Sequence, residues 1–176
     1  MTGSKEQRQA QKERSMTAAR VRELLNYDLD TGVFTWRHSR RGLKAGAVAG
    51  RISGAGYWQL CIDSAYFYAH RVAWLYVTGE WPKSQIDHID LDKKNNRFAN
   101  LRNADRVQNQ GNRPMSRHNA SGIKGVRWNR HVQKWQARLT DDGRDRHLGH
   151  FDNITEASAA YQTAATKKFG SFARVS

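Results

Sequence analysis

Only one cysteine, Cys61, occurs in the 176 residues. A lone thiol can close no internal disulfide and cannot build a zinc knuckle, so neither staple underlies this fold. Proline is nearly as scarce. Its two positions, Pro82 and Pro114, fall after a helix and inside a linker. No run approaches the roughly 20 apolar residues of a membrane span. The first residues hold no apolar signal region, so a cytoplasmic location is expected. Acidic side chains are outnumbered, 16 Asp and Glu against 30 Lys and Arg, for a net charge of +14. Such an excess attracts polyanions and is the electrostatic footprint of phosphate contacts. A basic membrane-surface protein would need an apolar helical stripe opposite a basic face, and none is found. A hydrophobic content of 38% suits two small domains better than one thick-cored globule.

Residues 1–16 are polar and charged and read as a flexible tail, with Met16 a candidate natural start. A helix begins at Thr17 as N-cap, with Val21, Leu24 and Leu25 as its apolar stripe. Asp30-Thr31-Gly32 supplies a turn, and Val33–Trp36 is rich in β formers. Residues 37–47 form a basic, glycine-containing loop suited to phosphate contact. Tyr57–Ile62 and Tyr66–His70 make a hairpin around Asp63-Ser64-Ala65, and Arg71–Thr78 a helix. Ser84–Asp90 is a strand running into a loop. Asn95 and Asn96 are expected to tolerate left-handed geometry there, and Asn100–Gln110 reads as a helix.

The most informative stretch is Asp87-His88, with Asn100-Leu101 and then Asn109 downstream. A carboxylate and an amide oxygen can hold a hard divalent cation. A histidine, titrating near neutrality, can take a proton from water. Alone, His88 would read as a satisfied structural histidine; the coupled Asp, Asn-Leu and distal Asn favour the base. Asn112 is an alternative to Asn109, and Asp90 and Asp92 read as solvated loop carboxylates.

This pattern resembles the HNH endonuclease motif, in the phage and intron homing variant whose last His is replaced by Asn. The resemblance implies a ββα-metal core over residues 17–110 that hydrolyses phosphodiester bonds. It implies His88 as general base and Asp87 and Asn109 as ligands of one Mg²⁺ or Mn²⁺. It gives Asn100 a bracing role in the loop. His70 opens the segment Ala-His-Arg-Val-Ala-Trp, which recurs ahead of Asp-His in phage enzymes of this type; it either faces the phosphate or packs beneath the site. Arg71 is a candidate phosphate contact. Many such nucleases brace the site with a Cys-x-x-Cys zinc pair, which this chain lacks, so no structural zinc is expected.

After a linker at 111–121 the pattern changes to three short alternating strands and a helix N-capped by Thr155, spanning 122–176. Gly125-Val126-Arg127, Lys134-Trp135, Leu148-Gly149 and Phe169-Gly170-Ser171 are similar in order and spacing to the APETALA/ethylene-response-factor DNA-binding domain. That family lays its sheet in the major groove. Strand alternation sends Val126, Trp135, Ala137, Leu139 and Leu148 to the helix and Arg127, Gln136, Arg138 and His147 to DNA, with Arg130 on the first turn. Asp145 and His147 stand where the family often has Arg and Trp, so the target sequence does not follow.

The expected fold class is therefore α+β: a ββα-metal core followed by a three-stranded antiparallel sheet on one helix. The expected protein is a DNA endonuclease, a nickase if monomeric, acting in a phage-infected or bacterial cell as a monomer or weak dimer. Double-stranded DNA is the partner and no membrane is involved. A non-catalytic DNA-binding regulator is the alternative; an RNA-directed nuclease fits less well, because the major groove of RNA is too deep and narrow for a sheet.

Overall fold

A computed structural model describes residues 11–40, 42–141 and 143–174. Two compact units divide between Asn103 and Ala104. The expected α+β class holds.

In the first unit, α1 (Ala18–Leu24) is capped as expected by Thr17, whose hydroxyl accepts from the Arg20 amide. Strands β1 (Leu25–Tyr27) and β2 (Phe34–Trp36) pair antiparallel. Their alternation buries Leu25, Tyr27, Phe34 and Trp36 on one side. The connecting turn closes on the Asp28 carboxylate, which accepts from the amides of Asp30 and Thr31. Strands β3 (Arg51–Ile52), β4 (Trp58–Ile62) and β5 (Ala65–Tyr68) form an antiparallel sheet in that order. Leu60, Ile62 and Phe67 feed the core from it. Helix α2 (Ala69–Thr78) contributes Val72, Ala73 and Leu75. It starts two residues before the expected Arg71, so His70 lies in its first turn rather than on a strand.

Strand β6 (Gln85–His88) pairs with β7 (Leu101–Ala104), which follows a 3-10 turn at Phe98–Asn100. The continuous helix expected over Asn100–Gln110 is thus a 3-10 turn, a strand and only then α3 (Arg106–Gly111). The reason is local. Asp105 and Gln108 form a reciprocal capping box, which fixes the helix start at Arg106.

The flexible-tail expectation fails for residues 11–16; residues 1–10 lie outside the described ones. Residues 11–15 are helical, and Glu13 and Met16 are buried. Both oxygens of Glu13 accept from the Arg71 guanidinium, at 2.7 and 2.8 Å. Arg71 also donates to the carbonyl of Ser84, just ahead of β6, and Trp81 donates its indole N–H to the Met16 carbonyl.

The second unit holds α3, strands β8 (Val126–Asn129), β9 (Lys134–Asp141) and β10 (Arg144–Phe151), and helix α4 (Ile154–Phe169). The strands pair antiparallel in the order β10-β9-β8. Asn153, not Thr155, caps α4 and accepts from the Glu156 amide. Ala157, Tyr161, Ala165 and Phe169 recur every four residues, so they share one helix face, and that face packs on Val126, Ala137 and Leu139. At Gly125, φ is +73° and a Cβ would lie 2.2 Å from the Tyr161 ring, so no side chain fits between strand and helix. The segment read as a linker folds onto this unit: Lys124 donates its ammonium to the carbonyls of Gly111 and Arg113.

Removing Glu13 leaves the mostly buried Arg71 cation without its carboxylate. Glu13→Ala should lower the unfolding free energy by about 3 kcal/mol, measured by urea denaturation. A loss under about 0.5 kcal/mol, the scale of an ordinary surface change, would show that the Glu13–Arg71 pair contributes little.

Candidate active site and nucleic-acid interface

Asp87 and His88 are consecutive on β6, where alternation points them to opposite faces. Both are nonetheless buried, at 6% and 5% exposure, because both faces are covered here. Arg102 on β7 donates from Nε and Nη2 to Oδ2 of Asp87, each at 2.8 Å. The ring of His70 meets that of His88 edge to face, with centroids 5.1 Å apart. Tyr57 lies 5.3 Å from His70 and 6.1 Å from His88, and Tyr68 stacks on His70. The two histidines thus stand in an aromatic cage.

Burial dominates their ionisation. It pushes His70 down to about 3, reinforced by His88 and Arg71, so that imidazole is neutral at physiological pH. Its Nδ1 has no hydrogen-bond partner among the described residues. His88 is lowered less sharply, since burial is opposed by the Asn96 side chain and by Asp90, Asp87 and Asp92.

The loop between β6 and β7 is tied by side chains. Asn100 Nδ2 donates to Asp90 Oδ1 and to the Asn95 carbonyl, both at 2.9 Å, while its Oδ1 accepts from the Asp90 amide. Asn95 Nδ2 donates to Asp90 Oδ2 at 2.6 Å. Burial opposes ionisation of Asp90, but these donors outweigh it and hold its carboxyl below the usual range. Asp90 is therefore the clasp of the loop rather than a solvated carboxylate. The left-handed residue is Leu91, at φ +69°, and neither Asn95 nor Asn96 adopts that conformation. Asn96 is 3% exposed and reaches His88.

A family model described as HNH endonuclease matches residues 67–110. Protein 3.8 of Escherichia phage T7 is 31% identical over 106 residues, covering 60% of this chain and 87% of that protein. The chain thus carries an HNH endonuclease domain and has a phage homologue. No solved structure matches it.

Within the HNH domain, Asp87, His88, Asn100 and His70 come together in the first unit, while Asn109 stands on α3 of the second. HNH nucleases use divalent metal ions, and the donor types here, a buried carboxylate and an amide oxygen, are the hard oxygen ligands such ions prefer. Among the described residues, no three His, Cys, Asp or Glu side chains cluster to hold a metal. Arg71, expected on phosphate, is engaged by Glu13 and two carbonyls. Among the described residues no helix is long and apolar enough to cross a membrane.

In the second unit Val126, Ala137 and Leu139 face the helix, with Trp135 and Leu148 partly buried beside them. Arg127, Arg130 and His147 are exposed, and Arg138 is half-buried and bonded to Asp145 at 3.5 Å. Gln136 differs from its expected role as a base contact, being 3% exposed. Its Oε1 accepts from Arg127 Nε at 3.0 Å, and its amide nitrogen lies 3.1 Å from His147 Nδ1 and 3.3 Å from His150 Nε2. It braces Arg127 from below the face. His150 joins through the β-bulge between His147 and Gly149. A cavity of about 530 Å³ beside this face is lined by Arg127, Arg130, Arg138 and Trp128.

Sequence reasoning missed Arg102, Asn96, Asp90 and Tyr57. Asp90 carried a signal, an Asx residue two before another in a tight loop. Arg102 and Tyr57 carried none, because strand pairing and sheet packing bring them in.

Stability should record the buried His70. Unfolded, its imidazole gains a proton near 6.5; folded, it resists until about 3. The unfolded state thus binds more protons between those values, so stability is present above pH 6.5 and lost as pH falls below it. His70→Phe should flatten the fall by up to about 1.4 kcal/mol per pH unit in urea titrations. An unaltered slope would remove His70 as its source.

Proposed function

We propose that the protein is a metal-dependent DNA endonuclease whose HNH domain cleaves and whose C-terminal sheet positions the cut. The observation that carries this reading is the buried Asp87-His88 pair, caged by His70 and Tyr57 and served by a loop clasped through Asp90. His88 is the general base that takes a proton from the attacking water. Asn100 holds the loop beside it. Asp87 is the carboxylate ligand of one Mg²⁺ or Mn²⁺. Such an ion supplies Lewis-acid stabilisation of charge on the scissile phosphate and leaving oxygen. Arg102 fixes the Asp87 carboxylate, and neutral His70 orients the His88 ring by packing. One active site per chain cuts one strand, so a monomer nicks. A site of this kind recognises phosphate and little sequence, and base readout must come from groove contacts elsewhere.

Arg127, Arg130, Arg138 and His147 of the C-terminal sheet are proposed to contact duplex DNA, in the manner of ethylene-response-factor-like domains. Support comes from the exposed basic face opposite α4, with Gln136 holding Arg127 in place.

Supercoiled plasmid incubated with Mg²⁺ should relax to open circles, and EDTA or His88→Ala should abolish this by about 100-fold or more. Equal nicking by His88→Ala would overturn the assignment of the base. Duplex retardation without cutting would point to a non-catalytic regulator. Separately, Arg127→Ala should weaken duplex binding by about 1–3 kcal/mol if it reads a base, measured by fluorescence anisotropy on a cognate site. A uniform loss on all sequences would make it a phosphate contact instead.

A further inference from the structure

In the second unit one buried amide serves three side chains of the polar sheet face. Gln136 is 3% exposed, while Arg127, His147 and His150 around it are exposed. The two imidazole rings lie 4.6 Å apart. The hydrogens on these groups follow from their contacts. Arg127 Nε lies 3.0 Å from Gln136 Oε1, and a guanidinium only donates. The amide therefore turns its oxygen to Arg127 and its nitrogen to the rings. An amide nitrogen has two hydrogens and accepts nothing. His147 Nδ1, at 3.1 Å, and His150 Nε2, at 3.3 Å, must both accept from it. Asn129 repeats the constraint at His150. Its Oδ1 accepts from the His131 amide at 3.1 Å, which turns its Nδ2 to His150 Nε2 at 3.3 Å. The arrangement is complete only when both rings are neutral, with the hydrogen of His147 on Nε2 and that of His150 on Nδ1.

A proton arriving on either accepting nitrogen sets N–H against N–H. Turning the Gln136 amide over relieves this, because its oxygen then accepts from the imidazolium. The same turn sets the amide nitrogen against Arg127 Nε, two donors with no acceptor between them. One amide cannot hold a cationic imidazole and Arg127 together. The charged neighbours on this face are Arg127 on β8, Lys134 and Arg138 on β9 and Asp145 on β10, with His131 on the first turn. Asp145 is engaged by Arg138 at 3.5 Å, and Lys134 by Asp152 at 3.0 Å. A protonated ring thus adds its charge to a face already rich in cations.

We propose that Gln136, His147 and His150 are the specificity-determining group of this face: neutral imidazoles hold Arg127 in place through Gln136, and a proton on either ring releases it. This rests on the reading of the C-terminal sheet as a DNA-binding surface. In the neutral form Arg127 is ordered before contact, and discrimination between duplexes is greatest. In the protonated form Arg127 is loose and the face gains positive charge, so every duplex is bound more tightly and sequences are told apart less well. Gln136 and the two histidines are positioning residues here, acting on the bases through Arg127.

The test pairs a spectroscopic and a binding readout on the full-length protein, in EDTA so that nothing is cut. Long-range ¹H–¹⁵N spectra at about pH 8, the alkaline end of the range in which histidines change charge, should show His147 protonated at Nε2 and His150 at Nδ1. The binding probes are a duplex selected from a random-sequence library at that pH and a shuffled duplex of the same composition. Between about pH 8 and about pH 5 the ratio of their Kd values should fall about 10-fold, while binding of the shuffled duplex tightens. His147→Asn combined with His150→Gln puts an amide oxygen where each accepting nitrogen stood and takes up no proton. That variant should keep its ratio at both pH values. A hydrogen on His147 Nδ1 or His150 Nε2 in the alkaline wild type overturns the inference with no variant needed. So does a wild-type ratio that ignores pH, or one that falls equally in the double variant. A library from which no duplex is enriched would instead bring down the DNA-binding reading of the sheet, and the inference with it.

Discussion

The carboxylate of Asp90 accepts the side-chain amides of both Asn95 and Asn100, and the course of the active-site loop depends on that clasp. Nine residues separate the end of β6 from the 3-10 turn, too many to hold one shape by backbone bonding alone. Side-chain amides replace the missing ladder: Asn100 closes on the Asp90 amide and the Asn95 carbonyl, and Asp92 accepts from the Lys94 amide. With the loop so fixed, Asn96 stands against His88 and the strand carrying Asp87-His88 meets Arg102. Each hydrogen bond is small in net terms, about 1 kcal/mol. Their joint effect is geometric, since together they fix where the loop meets the His88 ring.

Much of this was legible in the chain. Thr17 caps its helix where the residue type demanded, and the alternation of Val126, Ala137 and Leu139 correctly assigned a sheet face to α4. Local chemistry also explains the failures. The helix expected from Asn100 begins six residues later because the Asp105–Gln108 capping box outweighs a polar pattern with no apolar period of its own. Residues 11–16 looked like tail because nothing local shows that Glu13 has a partner 58 residues away. Arg71 looked available for phosphate for the same reason. Pairs remote in sequence are where single-sequence reading stops, and Tyr57, Asn96 and Arg102 all belong to that class.

The second unit solves a different problem with similar means. Its sheet buries apolar side chains on α4 and leaves a polar face, but that face is not a set of independent side chains. Gln136 lies beneath it and joins Arg127 to His147 and His150, so guanidinium and imidazoles are held in mutual register. Ordering these side chains in advance reduces the conformational entropy lost when a ligand arrives. The bulge after His147 matters here, because it returns His150 to the same face as Gln136.

Arginine serves this protein in two opposite dielectric settings. Arg71 is shut away with Glu13, while Arg127 and Arg130 stand in solvent. Salt screens exposed charges within a Debye length of about 8 Å at physiological ionic strength and reaches buried pairs far less. Rising ionic strength therefore acts selectively on this molecule. It weakens the field of the outer guanidiniums while the inner pair goes on holding the N-terminal segment to the rest of the first unit, so added salt changes the charge this protein presents to its surroundings without loosening its fold.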